Sequence, residues 1–219
     1  MSVYKREHPL FLRQSLDTLF SQTVQPSEVV LVKDGPLTAE SEEVLEEYMS
    51  LHKELKVVAL AQNQGLGKAL NEGLKHCSYE LIARMDTDDI CKPFRFEKQL
   101  RAFEEHPEID VCSSWIDEFE VNKEHITSNR IIPENHSAIA TYAKTRCPVN
   151  HVAVMYKKNA VLSGGYKGFP EDYYLWVKMI MNDMKFYNIQ ESLVWVRFSR
   201  DVLKRRGVFI RSVFFLFLS

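Results

Sequence analysis

The stretch "LIARMDTDDI", residues 81–90, sets the problem that the rest of the chain must solve. A short apolar run, Leu81 to Met85, stops at Asp86, Asp88 and Asp89, three carboxylates within four residues. Like charges this close repel unless something positive sits among them. A β-strand that ends in an acidic turn at the rim of a sheet has this appearance. Hard oxygen ligands there suit Mg²⁺ or Mn²⁺, which bind few carboxylates and share the rest of their shell with water and phosphate. The bland alternative is an Asp-rich turn, with Asp89 capping a helix that begins near Pro93.

Working outward, the first half alternates helix and strand. Leu12, Leu16, Leu19 and Phe20 fall on one helical face, and "EVVLV" (28–32) is an apolar, β-branched strand ending in "KDGP". "ESEEVLEEYMSLHKEL" reads as a surface helix, "KVVAL" (56–60) as a second strand and "KALNEGLKH" as a helix. "ELIAR" (80–84) is a third strand. Phe96, Leu100 and Phe103 mark a further helix, and "IDVCSS" (109–114) a fourth strand. Such alternation predicts an α/β fold with a mostly parallel central sheet and flanking helices. The strands are apolar throughout rather than alternating, as expected where both faces are covered. In such sheets ligands bind beyond the carboxyl ends of the strands. Three of these ends carry polar or glycine-rich sequence: Lys33-Asp34-Gly35, Asn63-Gln64-Gly65, and the loop at Asp86.

Composition narrows the classes. The 219 residues are 45% hydrophobic and 26% charged, with a formal net charge of -2. That suits a globular protein with a substantial core and does not suggest a nucleic-acid partner. Four scattered cysteines without a CxxC pair argue against a zinc knuckle and for reduced thiols in the cytoplasm. The final stretch has six basic residues between Arg197 and Arg211, followed by Phe214, Phe215 and Phe217. It reads either as a peripheral contact with an anionic membrane surface, at the inner face of the plasma membrane, or as a terminal helix packed on the domain. The chain is read as one domain over 1–219. A nucleotide-binding half covers about 1–115 and an acceptor half about 116–200, with the basic, aromatic segment at 201–219.

Taken in order, "FLRQSLDTLFSQTVQPSEVVLVKDGP", "NQGLGKALNEGL" and "LIARMDTDDICKPFRFEKQ" resemble the family 2 glycosyltransferases of GT-A fold. "RCPVNHVAVMYKK" and "GGYKGFPEDYYLW" resemble the same family's acceptor half, so the likeness runs over roughly residues 3 to 200. It is closest to bacterial transferases that build capsular and exopolysaccharide repeat units. The family's first strand normally precedes "SVY", so here that strand is expected to be largely missing.

The resemblance implies roles. Asp34 would contact the uracil or ribose of a nucleotide-sugar donor, and Asn63, Gly65 and Lys68 would line its pocket. Asp86 and Asp88 would form the family's DxD motif, Asp86 towards the ribose and Asp88 on a Mn²⁺ or Mg²⁺ ion bridging the diphosphate. Glu171-Asp172 matches an acidic pair at a helix start, where Asp172 would be the general base towards a glycan or lipid-linked saccharide acceptor. His151, Trp176, Arg205 and Arg206 could contact the diphosphate or acceptor. For each there is a plainer reading: a turn aspartate at Asp34, a helix N-terminus at Glu171-Asp172, a core histidine, a packed indole, and surface charge. The resemblance implies an inverting, metal-dependent sugar transfer from a nucleotide-diphosphate donor, with a UDP-sugar expected, in surface polysaccharide synthesis. Two other readings compete. One is a catalytically inactive, truncated nucleotide-binding module. The other is a haloacid dehalogenase-type phosphatase, against which stand the two strand-helix units before Asp86 and the Glu171-Asp172 pair.

Overall fold

The computed structural model describes residues 1–162, 165–166 and 171–198, with the side chain of Glu171 outside that set. Three parallel strands open the chain: β1 (Ser2–Val3), β2 (Val29–Lys33) and β3 (Leu55–Ala59), paired in that order. β1 is two residues long, and the Asp34 N–H donates to Val3 O at 2.8 Å where it ends. Helices α1 (Pro9–Phe20), α2 (Ala39–Leu51) and α3 (Leu66–His76) connect and cover these strands. Local chemistry fixes their starts. His8 caps α1 by accepting the Leu10 N–H at Nδ1, with Pro9 in the first turn. Thr38 caps α2, and Glu40 and Glu42 follow in its first turn, where the helix dipole favours acids.

The uninterrupted apolar run of β2 has a direct structural reason. Val29 and Leu31 enter a core with Leu12, Leu16, Val44 and Leu45 from α1 and α2. Val32 faces the opposite side, where the backbone of Gly73 in α3 lies close against it. Both faces of the strand are therefore removed from water, at roughly 25 cal/mol per Å² of apolar surface.

A second, mixed sheet follows in the order β4-β8-β6-β9-β5 with β7 on β6. Its strands are β4 (Leu81–Ala83), β5 (Ile90–Cys91), β6 (Val111–Phe119), β7 (Ile126–Arg130), β8 (Met155–Lys157) and β9 (Phe186–Arg197). Only β6 and β9 pair in parallel; the other pairings in this sheet are antiparallel. The parallel character expected of the sheet is thus confined to β1–β3 and the β6–β9 pair. The long strand β9 was not legible as a strand in the irregular second half. Helix α4 (Arg95–Glu105) packs into the first core, whereas α5 (His136–Tyr142), α6 (Lys158–Leu162) and α7 (Glu171–Met181) contribute to a second around Trp176. Asp89 does not cap α4: that helix starts from Phe94 without a side-chain cap. No helix among the described residues is long and apolar enough to cross a membrane.

Candidate functional site

Two loops follow the ends of β2, β3 and β4, and each is bonded to β1. The first is built around Asp34, which is only 4% exposed. Its Oδ1 accepts the Gln64 N–H at 2.7 Å and its Oδ2 the Gly65 N–H at 3.0 Å, while Asn63 Nδ2 donates back to Asp34 O. The carboxylate therefore shapes the loop that leads into α3. Gly35 makes this contact possible. Its φ is +88°, and a Cβ there would stand 2.7 Å from the Asn63 nitrogen. Gly65, with φ +90°, turns the chain into α3. Asn63 and Lys68 are exposed on this rim.

The second loop carries Asp86, Thr87, Asp88 and Asp89. It is tied on every side. Ser15 of α1 donates to Asp86 O at 3.0 Å. Thr87 donates to Ser2 O and, at 2.7 Å, to Glu7 Oε2. Asp34 and Thr87 thus bond to successive carbonyls of β1, those of Val3 and Ser2.

The three carboxylates have separate surroundings. Asp86 forms an ion pair with the buried guanidinium of Arg84. Asp89, 2% exposed, accepts the Arg197 N–H at 2.9 Å. Asp88 is half-buried; burial first, then Asp86 and Glu7, push its carboxyl up to about 7. Burial likewise pushes Asp89 well above the usual carboxylate range, with Asp88 and Asp86 adding to it. One ligand oxygen from each of the three lies within 4.8 Å of the others. Oxygen donors gathered this closely fit a hard divalent ion such as Mn²⁺ or Mg²⁺.

Positive partners for this acidic turn exist within the chain, and they were missed in the sequence. Arg84 stands two residues before Asp86, close enough along the chain for the two side chains to pair; that spacing was a usable signal. Arg197 gave no such signal. Read as the start of a basic surface segment, it is instead packed between the rings of Phe11 and Phe119, at 3.8 and 4.8 Å from their centroids. Its side chain reaches Asp88 O at 3.3 Å and Gln14 Oε1 at 2.8 Å. Arg205 and Arg206 lie outside the described residues.

On the acceptor side, Asp172 is in the first turn of α7, half-buried, with Oδ1 accepting the Tyr173 N–H at 2.8 Å. Tyr166 is buried, and burial pushes its phenol up to about 12, with the charges of Asp172 and Asp86 adding to it. His151 stands edge-on to Tyr166 at 5.5 Å and beside Trp176 at 5.7 Å. Burial, with Arg84 adding to it, pushes the imidazole well below its ordinary range, so it is neutral. Trp176 is fully buried among Tyr156, Phe186 and His151 and serves the core. A sugar cannot stack on an indole enclosed in this way.

Parallel strands feeding a mixed sheet, with an acidic loop at the rim, define a GT-A glycosyltransferase fold. The chain belongs to glycosyl transferase family 2, whose model, Glycosyl transferase family 2, matches residues 1–169. That match ends just before Glu171 and Asp172. A Haemophilus influenzae protein described as an uncharacterized glycosyltransferase is 45% identical, over 95% of this chain and 78% of its own length. The Escherichia coli UDP-Gal:alpha-D-GlcNAc-diphosphoundecaprenol beta-1,3-galactosyltransferase is 39% identical, over 94% of this chain and 76% of its own. Among solved structures, the mannosyltransferase PcManGT from Pyrobaculum calidifontis, in complex with GDP-Man and Mn2+, superposes with a TM-score of 0.69 at 14% identity. That likeness covers 91% of this chain and 56% of PcManGT, so this chain spans little more than half of the solved one. Family membership sets the phosphatase reading aside.

Proposed function

We propose that the chain transfers a sugar, with inversion, from a UDP-linked donor to a glycan or lipid-linked acceptor in surface polysaccharide synthesis. The observation that carries this reading is the acidic cluster of Asp86, Asp88 and Asp89 after β4, in a loop hydrogen-bonded to α1 and β1. The donor class is supported by the 39% identical relative, whose name specifies UDP-Gal and a diphosphoundecaprenol-linked acceptor. The Mn2+ in the complex of the mannosyltransferase supports the ion.

In this reading, Asp34 holds the Asn63–Gly65 loop around the nucleoside, and Lys68 meets phosphate from the first turn of α3. Asp86 faces the ribose, and Asp88 holds the ion. When bound, Mn²⁺ or Mg²⁺ stabilises charge on the departing diphosphate. Asp172 accepts the proton of the acceptor hydroxyl as its oxygen bonds to the anomeric carbon. The bond from that carbon to the diphosphate oxygen breaks, and the nucleoside diphosphate leaves. A single displacement inverts the anomeric centre. Glu171 is the other member of this acidic pair, and neutral His151 would hydrogen-bond to substrate rather than supply charge.

The test is a panel of nucleotide sugars assayed with MnCl₂, alongside UDP binding by calorimetry. Asp172→Asn is expected to keep UDP affinity and lose turnover by about 10² to 10⁴, the usual worth of a general base. Asp88→Ala is expected to lose Mn²⁺-dependent UDP binding. Undiminished turnover in Asp172→Asn would refute the assignment of the base. UDP binding indifferent to Mn²⁺ would refute the metal-dependent reading.

A further inference from the structure

Two arginines are buried near β4, and they are treated very differently. Arg95 is 0% exposed and well partnered: Nη2 donates to Arg84 O at 2.7 Å, and Nε to Gln99 Oε1 at 3.0 Å. It braces α4 against the strand. Arg84 is 3% exposed, and its side chain pairs with Asp86. Its Nε and Nη1 are buried without a protein partner. Asn150 Oδ1, both nitrogens of His151 and Trp176 Nε1 are also buried and unpartnered among the described residues. Arg84 acts electrostatically on His151, which in turn touches Trp176.

A guanidinium carries five N–H donors, and burying it with few of them used is costly. A side chain serving only to fill this space would be better apolar, because replacing a buried ion pair with hydrophobic groups is often neutral or stabilising. What Arg84 does accomplish is specific. It commits the Asp86 carboxylate to one orientation, as the Arg197 N–H commits Asp89. Asp88 is then the carboxylate left to meet an ion.

We infer that Arg84 is a positioning residue for nucleotide-sugar binding, acting through its ion pair with Asp86 to fix the first carboxylate of the acidic loop. The inference rests on the UDP-sugar reading proposed above. It assigns Arg84 a role through Asp86 rather than through contact with nucleotide or ion, and it predicts that the effect of Arg84 vanishes when Asp86 no longer carries charge.

The experiment is a double-mutant cycle on the full chain, with UDP plus MnCl₂ as the probe and calorimetry as the readout. The proteins are wild type, Arg84→Met, Asp86→Asn and the double variant, each first checked by thermal melting. Arg84→Met is expected to fold and to lose about 10- to 100-fold in affinity, the usual effect of removing a group that orients a ligand-binding carboxylate. In the Asp86→Asn background the same change is expected to cost less than about twofold, because contacting residues are not additive. Arg84→Lys keeps the charge but not the fork, so it is expected to fold and fall between wild type and Arg84→Met. It decides the matter if the Met variant does not fold: affinity equal to wild type overturns the inference, and a partial loss supports it. Wild-type affinity in Arg84→Met, or an undiminished loss in the Asp86→Asn background, also overturns it. Failure of the wild type to bind UDP would overturn the underlying UDP reading, and this inference with it; failure of the cycle alone leaves that reading standing.

Discussion

The side-chain amide of Asn71 grips both backbone polar groups of Tyr166. Its Oδ1 accepts the Tyr166 N–H at 2.8 Å, and its Nδ2 donates to Tyr166 O at 2.8 Å. This clamp joins α3, which follows the Asp34-held loop, to the chain entering α7, where Asp172 lies. Each of these hydrogen bonds is worth about 0.5–1.5 kcal/mol net, and leaving the partners unmet costs more. Asn71→Ala is expected to lower unfolding free energy by about 2–3 kcal/mol and to reduce turnover more than UDP affinity. Urea unfolding and a comparison of kcat with UDP binding check both parts.

Gly35 offers a separate test of the donor side. With φ +88° and the Asn63 nitrogen 2.7 Å from any added Cβ, Gly35→Ala must displace the 63–65 loop. The expected cost is about 1–3 kcal/mol of backbone strain, with weaker UDP binding. Gly65→Ala has a positive φ but open space around it, so it is expected to cost less. Thermal melts of the two variants side by side would show the order.

The acidic loop predicts a pH dependence of definite sign. Asp88 has a folded pKa raised to about 7 by burial and by Asp86 and Glu7, against an unfolded value near 4. Between those values the native state holds more protons than the unfolded state, so metal-free stability falls as pH rises through the window. Asp89, raised in the same direction, reinforces this. Mn²⁺ must displace the Asp88 proton, so the rise in melting temperature on adding Mn²⁺ is expected to be larger at pH 8 than at pH 5. Equal rises at both pH values would refute it.

Asp88 and Asp89 can be told apart by isosteric change. An amide at position 89 can still accept the Arg197 N–H at its oxygen, and it removes a buried charge. Asp89→Asn is therefore expected to melt at or above the wild-type temperature at pH 8 and to keep most Mn²⁺-dependent UDP binding. Asp88→Asn is expected to lose that binding. Calorimetry on both variants reads the contrast.

Much of the first half was legible because its signals are local. The apolar run of β2 and the helical spacing of Leu12, Leu16 and Leu19 each report burial along a single element. The pairing of the sheets was not, because a strand's neighbours depend on chain segments far away. β9 illustrates this: "FYNIQESLVWVR" carries polar residues at Asn188, Gln190 and Glu191, and its pairing with β6 makes it a long central strand. Trp176 illustrates the converse. Its place four residues beyond Asp172 allowed either a sugar platform or a packed indole, and enclosure by Tyr156 and Phe186 makes it core.

The sequence by itself determined the strand–helix order, the acidic turn after β4 and the family to which they belong, since periodicity and motif spacing are written along the chain. The tertiary structure decided how each carboxylate of that turn is employed. Asp86 meets Arg84 two residues away, but Asp89 meets Arg197 from the end of β9. Charges compensate one another through space, and only folding sets the distances over which they act.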